Sequence, residues 1–258
     1  MQQLAGLIDD VISLALYEQQ RDYLKMHRNR YIYTLEVLFS LLPAKKFIDV
    51  GSSGLFQYLI KELSPFTDVC GTQYSSEAGV KVEAADFKGI GEFRYYLGNP
   101  ESFCYAIESG SFDLVLCAEV IEHMSVDPMA LLAEMNRIMR LDARMVITTP
   151  NIVSCRSLLQ ALNHEMPYNF YAFNRNRSTD RHNIEYSPDL LRRIVEAAGF
   201  EVEKLSTVNC WSAPDVRVEA FLGKNGFRQD LRGDDIVLVA RKKEGVRDRY
   251  PDFLYLQN

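Results

Sequence analysis

Between residues 47 and 150 short apolar runs alternate with helix-like stretches, and that alternation restricts the fold more than any other feature of the chain. The runs are Phe47–Val50, Asp68–Gly71, Phe93–Leu97, Phe112–Cys117 and Met145–Thr148. Such alternation predicts parallel strands joined by crossover helices, an α/β domain. The helix after the fourth run is well marked: Asp127 can cap it, Pro128 suits its first turn, and Leu131, Met135, Ile138 and Met139 follow at helical spacing. A later helix opens at Ser187-Pro188, carries Leu190, Leu191, Ile194, Val195 and Ala198 on its inner stripe, and stops at Gly199. The segments EVEKLSTV and DDIVLVARK read as closing strands, with a loop and a short helix expected between Pro214 and Gly233.

Ahead of the alternation, Leu4, Leu7, Ile8, Val11 and Leu14 fall on one face of an amphipathic helix, and two helices are expected over residues 1–42. Asp9 and Asp10 with no basic leader argue against a signal peptide. Residues 47–150 are read as a cofactor-binding core, 151–186 as an insertion, 187–243 as the C-terminal part of the sheet and 244–258 as a tail, all in one domain spanning 1–258. The insertion is long, aromatic, amide-rich and basic. It resembles neither strand nor crossover helix, and irregular stretches of that length in compact domains are usually lids or binding loops.

Bulk properties exclude some roles. A formal net charge of -6 disfavours general binding to nucleic acid, which needs a basic surface to neutralise phosphates. No run of about 18 apolar residues is present, so no transmembrane helix is expected. The five cysteines, Cys70, Cys104, Cys117, Cys155 and Cys210, are scattered and form no CxxC pair. They predict neither a disulfide framework nor a zinc site, but reduced thiols and a cytoplasmic protein.

The first strand runs into Gly51-Ser52-Ser53-Gly54. A strand ending in Asp-x-Gly places a tight turn at the carboxyl edge of a sheet, where open α/β folds bind ligands. Small residues let a ligand approach the backbone, and exposed amides offer hydrogen bonds. The dinucleotide fingerprint Gly-x-Gly-x-x-Gly is absent, as is a GxxxxGK[ST] phosphate loop. By itself the turn is as readily structural as ligand-binding.

The stretch FDLVLCAEVIEHM, residues 112–124, adds the decisive pattern. Taken with IDVGSSG before it and MVITTPN after it, it resembles the class I S-adenosylmethionine-dependent methyltransferases, over roughly residues 28–241. The resemblance implies a Rossmann-like, doubly wound, mostly parallel seven-stranded sheet with helices on both faces and an antiparallel last strand. It implies S-adenosyl-L-methionine as cofactor. By position it places Asp49, Gly51, Ser52 and Gly54 around the methionine and ribose, Gln73 at the ribose, Tyr74 over the adenine, Asn99 at the adenine amine and Glu119 in the pocket wall.

Two departures stand out. Gln73 replaces the acidic residue usual at the end of the second strand, and Ser52 and Ser53 replace glycine, with hydroxyls that can meet the cofactor's methionine end. Asn99-Pro100 is also a common turn. His27, Arg28, Arg30 and Tyr31, on a helix expected to close over the cofactor, can supply a cation or hydroxyl to its carboxylate, with a solvated basic face as the plainer reading.

Transfer to a hydroxyl requires a base, which draws attention to two of the four histidines. His123 belongs to the EHM motif, with a structural role as its alternative. His182 lies in TDRHNIEYS beside Glu185, with a salt-bridged loop as its alternative. Asp180, His182 and Glu185 can form part of a hard-cation site, but no complete ligand set is legible, so no metal site is assigned.

The insertion sets Tyr168, Phe170, Tyr171 and Phe173 among amides and the guanidinium groups of Arg175 and Arg177. Aromatic faces beside amide and guanidinium groups suit a sugar or a phosphate-bearing carrier. Tyr168, Tyr171, Arg175, Arg177 and Glu185 are the expected acceptor contacts. The TPN exit, the aromatic insertion, H-x-x-E-Y-S and the RYPDFLY tail resemble methyltransferases encoded with glycan-assembly enzymes. That group implies a sugar hydroxyl in a surface glycan or its nucleotide- or lipid-linked precursor as acceptor, and peripheral association with glycan-assembly machinery. Another small-molecule hydroxyl, or a binding module with weak cofactor affinity, stays open, as does a homo-oligomer.

Overall fold

The structure is a computed structural model that describes residues 2–14, 18–63, 68–84, 92–101, 105–167, 172–173, 175 and 181–256. Its strands are β1 (Lys46–Val50), β2 (Asp68–Tyr74), β3 (Gly79–Ala84), β4 (Glu92–Gly98), β5 (Phe112–Ala118), β6 (Met139–Pro150), β7 (Phe200–Val208) and β8 (Asp235–Lys242). They form one sheet in the order β3-β4-β2-β1-β5-β6-β8-β7. The pairs β1–β2, β1–β5, β2–β4 and β5–β6 are parallel, and β8 runs antiparallel to both β6 and β7. The expected seven strands are all present, with the last one antiparallel. An eighth, β3, adds itself antiparallel to β4 at the outer edge. Its sequence, GVKVEA, leaves Val80 and Val82 exposed, so it lacks the apolar run that betrays the buried strands.

The helices are α1 (Gln2–Leu14), α2 (Glu18–Met26), α3 (Arg28–Ser40), α4 (Leu55–Leu63), α5 (Pro128–Ile138), α6 (Cys155–Leu162), α7 (Pro188–Ala197) and α8 (Val216–Lys224). Three helices therefore precede β1 where two were expected. The insertion also differs from expectation, because it begins with α6. Ser154 caps that helix by accepting from Ser157 N, and Leu158 and Leu159 pack with Cys155, Val218 and Leu222. Asp127 and Ser187 cap α5 and α7 as read from the sequence, each followed by proline in the first turn.

Both faces of the sheet are covered, which is why its central strands are continuously apolar rather than alternating. Ile48, Val115, Cys117, Met145, Ile147 and Leu238 point to the face covered by α5 and α7. Their chain neighbours Phe47, Leu114, Leu116, Val146 and Val237 point to the opposite face, against α1, α3 and α4. Leu55 and Phe56, bulky residues just after the glycine turn, belong to this second core, and the Phe56 ring packs edge-on against Tyr31 at 5.4 Å. Each such fully buried aliphatic or aromatic side chain stabilises the fold by about 1.5–3 kcal/mol.

Sheet order grows outward from β1 in one direction through β2 and β4, and in the other from β5 to β6. The reversal between β1 and β5 opens a crevice beyond their carboxyl ends. No helix among the described residues is long and apolar enough to cross a membrane.

Candidate active site

The turn after β1 is held by β2. Gly51 N donates to Thr72 Oγ1 at 3.0 Å, Ser52 N donates to Thr72 O at 2.8 Å, and Gly54 N donates to Ser52 Oγ at 2.9 Å. These amides are spent inside the protein, so the turn offers a ligand its shape rather than these donors. Ser52 is likewise buried, and its hydroxyl donates to Gln57 Oε1. The cause lies in the next strand. A Cβ at Gly71 would sit 2.7 Å from Ser52 Cβ and 2.9 Å from Gln57 Oε1, so the missing side chain there makes the slot that Ser52 and Gln57 fill. Gly51 has φ +71, and a Cβ on it would meet Val120 Cγ2 at 2.6 Å.

A cavity of about 810 Å³ lies beyond the ends of β5 and β6, a volume suited to a small-molecule ligand. The helices α2 and α3, with the residue that joins them, supply Tyr23, His27 and Arg30 to its wall. The segment after β5 supplies Glu119, Glu122 and His123, the end of the insertion supplies Arg181 and His182, and the loop after β7 supplies Cys210 and Trp211. That loop is fixed by Asp234, whose carboxylate accepts from the amides of Cys210, Trp211 and Ser212. Trp211 Nε1 in turn donates to His27 Nδ1 at 2.9 Å, tying the N-terminal helices to the far side of the crevice. Burial, helped by Arg30, holds the His27 imidazole down to about 4, so the ring is neutral and accepts that bond.

Glu119 leaves β5 with φ 55, a left-handed conformation uncommon outside glycine. Thr148 on the neighbouring strand fixes it: Glu119 N donates to Thr148 O at 3.0 Å, and Thr148 Oγ1 donates to Glu119 Oε1 at 2.8 Å. The other carboxylate oxygen faces Arg30 Nη1 at 3.4 Å. Arg30 is only 5% exposed, so for this residue the solvated-face reading is wrong; it points into the molecule. Arg28 does lie at the surface side, paired with Asp9.

Carboxyl groups outnumber this guanidinium. Burial pushes the Asp49 carboxyl up to about 7, opposed by Ser52 and by the field of Arg30. Burial, then the nearby Glu119, also drives Glu122 and Asp235 well above the usual carboxylate range.

The second half of the site is a pair of histidines. Ile121–His123 forms a short 3-10 turn, and the end of the insertion is stitched onto it. Asn183 N donates to Glu122 O at 2.7 Å, and Asn183 Nδ2 donates to His123 O at 2.9 Å. The two rings meet edge-on, with centroids 5.1 Å apart. His182 Nδ1 lies 2.7 Å from Glu185 Oε1, and His123 Nδ1 lies 3.1 Å from the carbonyl oxygen of Arg181. An acceptor beside each Nδ1 places the proton there, which leaves the lone pair of each neutral ring on Nε2.

Of the residues read from the sequence, His27, Arg30, Glu119, His123, Arg181 and His182 line the cavity. Glu185 lies behind His182, its side chain 2% exposed. Asp49, Gly51, Ser52, Gly54, Gln73, Tyr74 and Asn99 sit at the adjoining carboxyl ends of β1, β2 and β4, outside the cavity lining. There Gln73 is in register with Leu97, and Tyr74 with Gly98. The Asn99 side-chain oxygen accepts from Glu101 N at 3.0 Å, the turn geometry that was its alternative. Arg175 is exposed and not part of the lining. Tyr168, Tyr171, Arg177 and Asp180 lie outside the described residues. Glu122, Arg156 and Trp211 line the cavity without having been singled out. Only Glu122 carried a local signal, its i, i+3 spacing from Glu119 in AEVIEHM.

A family model for a methyltransferase domain matches residues 27–205. No curated protein matches the chain in sequence. Among solved structures, a methyltransferase of Haloferax volcanii, in complex with the Trm112 methyltransferase activator, is 14% identical with a TM-score of 0.56, covering 91% of this chain and 98% of that one. An S-adenosylmethionine-dependent methyltransferase of Thermotoga maritima is 18% identical with a TM-score of 0.54, covering 87% and 95%. One from Archaeoglobus fulgidus is 20% identical, with a TM-score of 0.54 and coverage of 85% and 94%. With its sheet order and a domain match over more than half its length, the chain belongs to the S-adenosylmethionine-dependent methyltransferases.

Proposed function

We propose that this methyltransferase acts on a hydroxyl of a sugar, in a surface glycan or in a nucleotide- or lipid-linked precursor of one. The observation that carries the reading is the 2.7 Å contact between His182 Nδ1 and Glu185 Oε1 in the wall of the cavity. Such a contact holds one tautomer and presents Nε2 to an acceptor. Methyl transfer to a hydroxyl needs its oxygen activated, whereas a neutral amine attacks unaided. The rest of the lining supports a polar acceptor: Arg156, Arg181, Glu122 and His123 suit hydroxyls and anionic groups better than they suit a quinone-like ring. The cavity as the acceptor site, and the segment 151–186 as its main contributor, are part of this proposal.

S-adenosylmethionine suits the donor set on the other side of the crevice. Asp49, Glu119 and Asp235 are carboxyls gathered around Arg30, an arrangement that favours a further positive charge. In this reading Asp49 and Glu119 face the cationic end, Gln73 takes the ribose, and Tyr74 and Asn99 border the adenine. When bound, the cofactor supplies a methyl carbon on a sulfonium, whose leaving thioether needs no proton. The chain's part is then to align the acceptor oxygen and to activate it at the Nε2 side of His182.

The test is transfer of labelled methyl from S-adenosylmethionine to a panel of nucleotide-sugars and lipid-linked saccharides, with catechol and amine acceptors beside them. His182→Ala is expected to lower kcat by about 10²–10⁴-fold, with cofactor affinity by calorimetry unchanged. Transfer to amines alone, or full activity in the variant, overturns the reading.

A further inference from the structure

We propose that Glu122, His123 and His182 bind a divalent first-row transition cation, of the Mn²⁺ or Zn²⁺ kind, in the wall of the cavity. The inference rests on reading this cavity as the acceptor site, and it specifies how the acceptor oxygen is activated. One ligand atom from each of the three side chains lies within 4.8 Å of the other two. Two imidazoles and one carboxylate are a donor set that selects first-row transition ions over Ca²⁺ or Mg²⁺, and three protein ligands leave positions open for an acceptor.

Three independent features suit a cation rather than a salt-bridged loop. First, each ring is held from behind: Glu185 accepts from His182 Nδ1 and the Arg181 carbonyl accepts from His123 Nδ1. That is the arrangement that orients metal-ligating histidines and turns Nε2 forward. Second, Glu122 is 0% exposed and one of its oxygens, Oε1, has no partner, while Oε2 accepts from Thr149 Oγ1 at 2.9 Å. A buried carboxylate oxygen left unpaired is costly unless something positive completes it. Third, the only guanidinium that pairs with Glu119 among the described residues is Arg30, and no described ion pair reaches Glu122.

The ligand atoms would need to draw together. An ion about 2.1 Å from each ligand in a tetrahedral site asks for ligand atoms about 3.4 Å apart. The rings sit on a 3-10 turn and on the end of the insertion, not on strands, so a contraction of up to about 1.4 Å costs no sheet hydrogen bond. With the acceptor oxygen on such a cation its O–H proton passes to cavity water. The oxygen's electron pair then forms the new O–CH₃ bond, and the C–S bond breaks with its pair staying on sulfur. No oxidant or reductant is involved.

The experiment is a titration of chelator-stripped full-length protein with Mn²⁺, following the loss of the free-ion paramagnetic resonance signal. One bound Mn²⁺ per chain is expected, displaced by Zn²⁺ and unaffected by equimolar Mg²⁺. His182→Ala is expected to weaken binding by at least about tenfold, and Glu185→Gln by about 10–100-fold through the orienting bond alone. Glu122→Gln, isosteric at a buried position, serves as the second ligand variant, with circular dichroism reporting the fold of each. Absence of Mn²⁺ and Zn²⁺ binding, or binding unchanged in both His182→Ala and Glu122→Gln, overturns the site. Full methyl transfer after chelation does so too. The functional reading fails separately: protein that binds Mn²⁺ through these residues but shows no affinity for S-adenosylmethionine keeps the cation site and loses the rest.

Discussion

Replacing Asp49 by asparagine is expected to make the protein more stable at neutral pH while weakening its hold on the cofactor. Asp49 is 3% exposed, and burial lifts its carboxyl from an ordinary 3.8 to about 7. A carboxyl raised on folding contributes stability that is fully present below the unfolded value and lost as pH climbs to the folded one, because the folded chain binds the proton over that window and the unfolded chain does not. From 3.8 to about 7 the loss, at 1.36 kcal/mol per pH unit, reaches about 4 kcal/mol. The experimentally convenient part, pH 5 to pH 7, accounts for about 2.7 kcal/mol of it. The amide in Asp49→Asn does not titrate and carries no such slope.

Urea unfolding of both proteins at pH 5, 6, 7 and 8 isolates the effect, since every other titrating group is common to the pair. The difference in unfolding free energy is expected to move in favour of Asp49→Asn by about 2–3 kcal/mol between pH 5 and 7 and to level off above, about 1 M in urea midpoint for a slope near 2–3 kcal/mol/M. Parallel curves for the two proteins would show that the carboxyl does not titrate in this window and would refute the argument. The same carboxylate, if it faces the sulfonium, makes cofactor affinity fall toward about tenfold per pH unit below 7 in the parent protein and not in the variant.

Other consequences are simpler. Gly51→Ala combines a φ of +71 with a Cβ 2.6 Å from Val120 Cγ2 and is expected to cost about 2–4 kcal/mol. Adding Val120→Ala should restore the overlap part in thermal melts and leave the backbone part. Asp127 caps α5 and also accepts from Arg249 and Tyr255 of the tail. Burial raises its carboxyl, but these donors more than offset that and hold it below the usual range. Asp127→Ala should therefore lose about 1–3 kcal/mol at pH 7, and the gap to the parent should close as pH falls through the folded pKa, a trend readable by denaturant unfolding at pH 3 and 7.

The parallel core was legible because burial on both faces writes itself into strands as unbroken apolar runs: Phe47–Val50 and Phe112–Cys117 could be placed to within a residue or two. Caps at Asp127 and Ser187 were legible for a local reason, since the chemistry of a helix start is contained in four consecutive residues. What escaped depends on distance along the chain. β3 stabilises itself by pairing with β4, not by its own composition. The inward turn of Ser52 is decided by the absent side chain of Gly71, and the burial of Arg30 by Glu119, far away in sequence. Glu122 is the clearest case. Its neighbours in sequence announce it as one more acid in AEVIEHM, yet its meaning comes from His182, which only the return of the insertion brings beside it. A local motif can nominate a residue, and only the fold can give it a partner.

The charge distribution of the crevice has a consequence for rate. In the proposed arrangement carboxylates stand beside the sulfonium, but that positive charge is dispersed as the methyl group leaves, so the attraction would be strongest before the reaction and weaker at its summit. Interactions that are stronger in the ground state than in the transition state lower KM without raising kcat. In the proposed transfer to a hydroxyl, activation must then come from the acceptor, whose oxygen gains negative character, and His123 and His182 line the cavity proposed to hold it. Asp49→Asn is accordingly expected to raise KM for S-adenosylmethionine by about 10-fold, the value of one charge-assisted contact, with kcat equal or higher. His182→Ala should do the reverse, lowering kcat with KM for the cofactor unchanged. Steady-state kinetics on the two variants separate the halves of the site. A fall in kcat at constant KM for Asp49→Asn would show that the carboxylate acts at the summit of the reaction and not in binding.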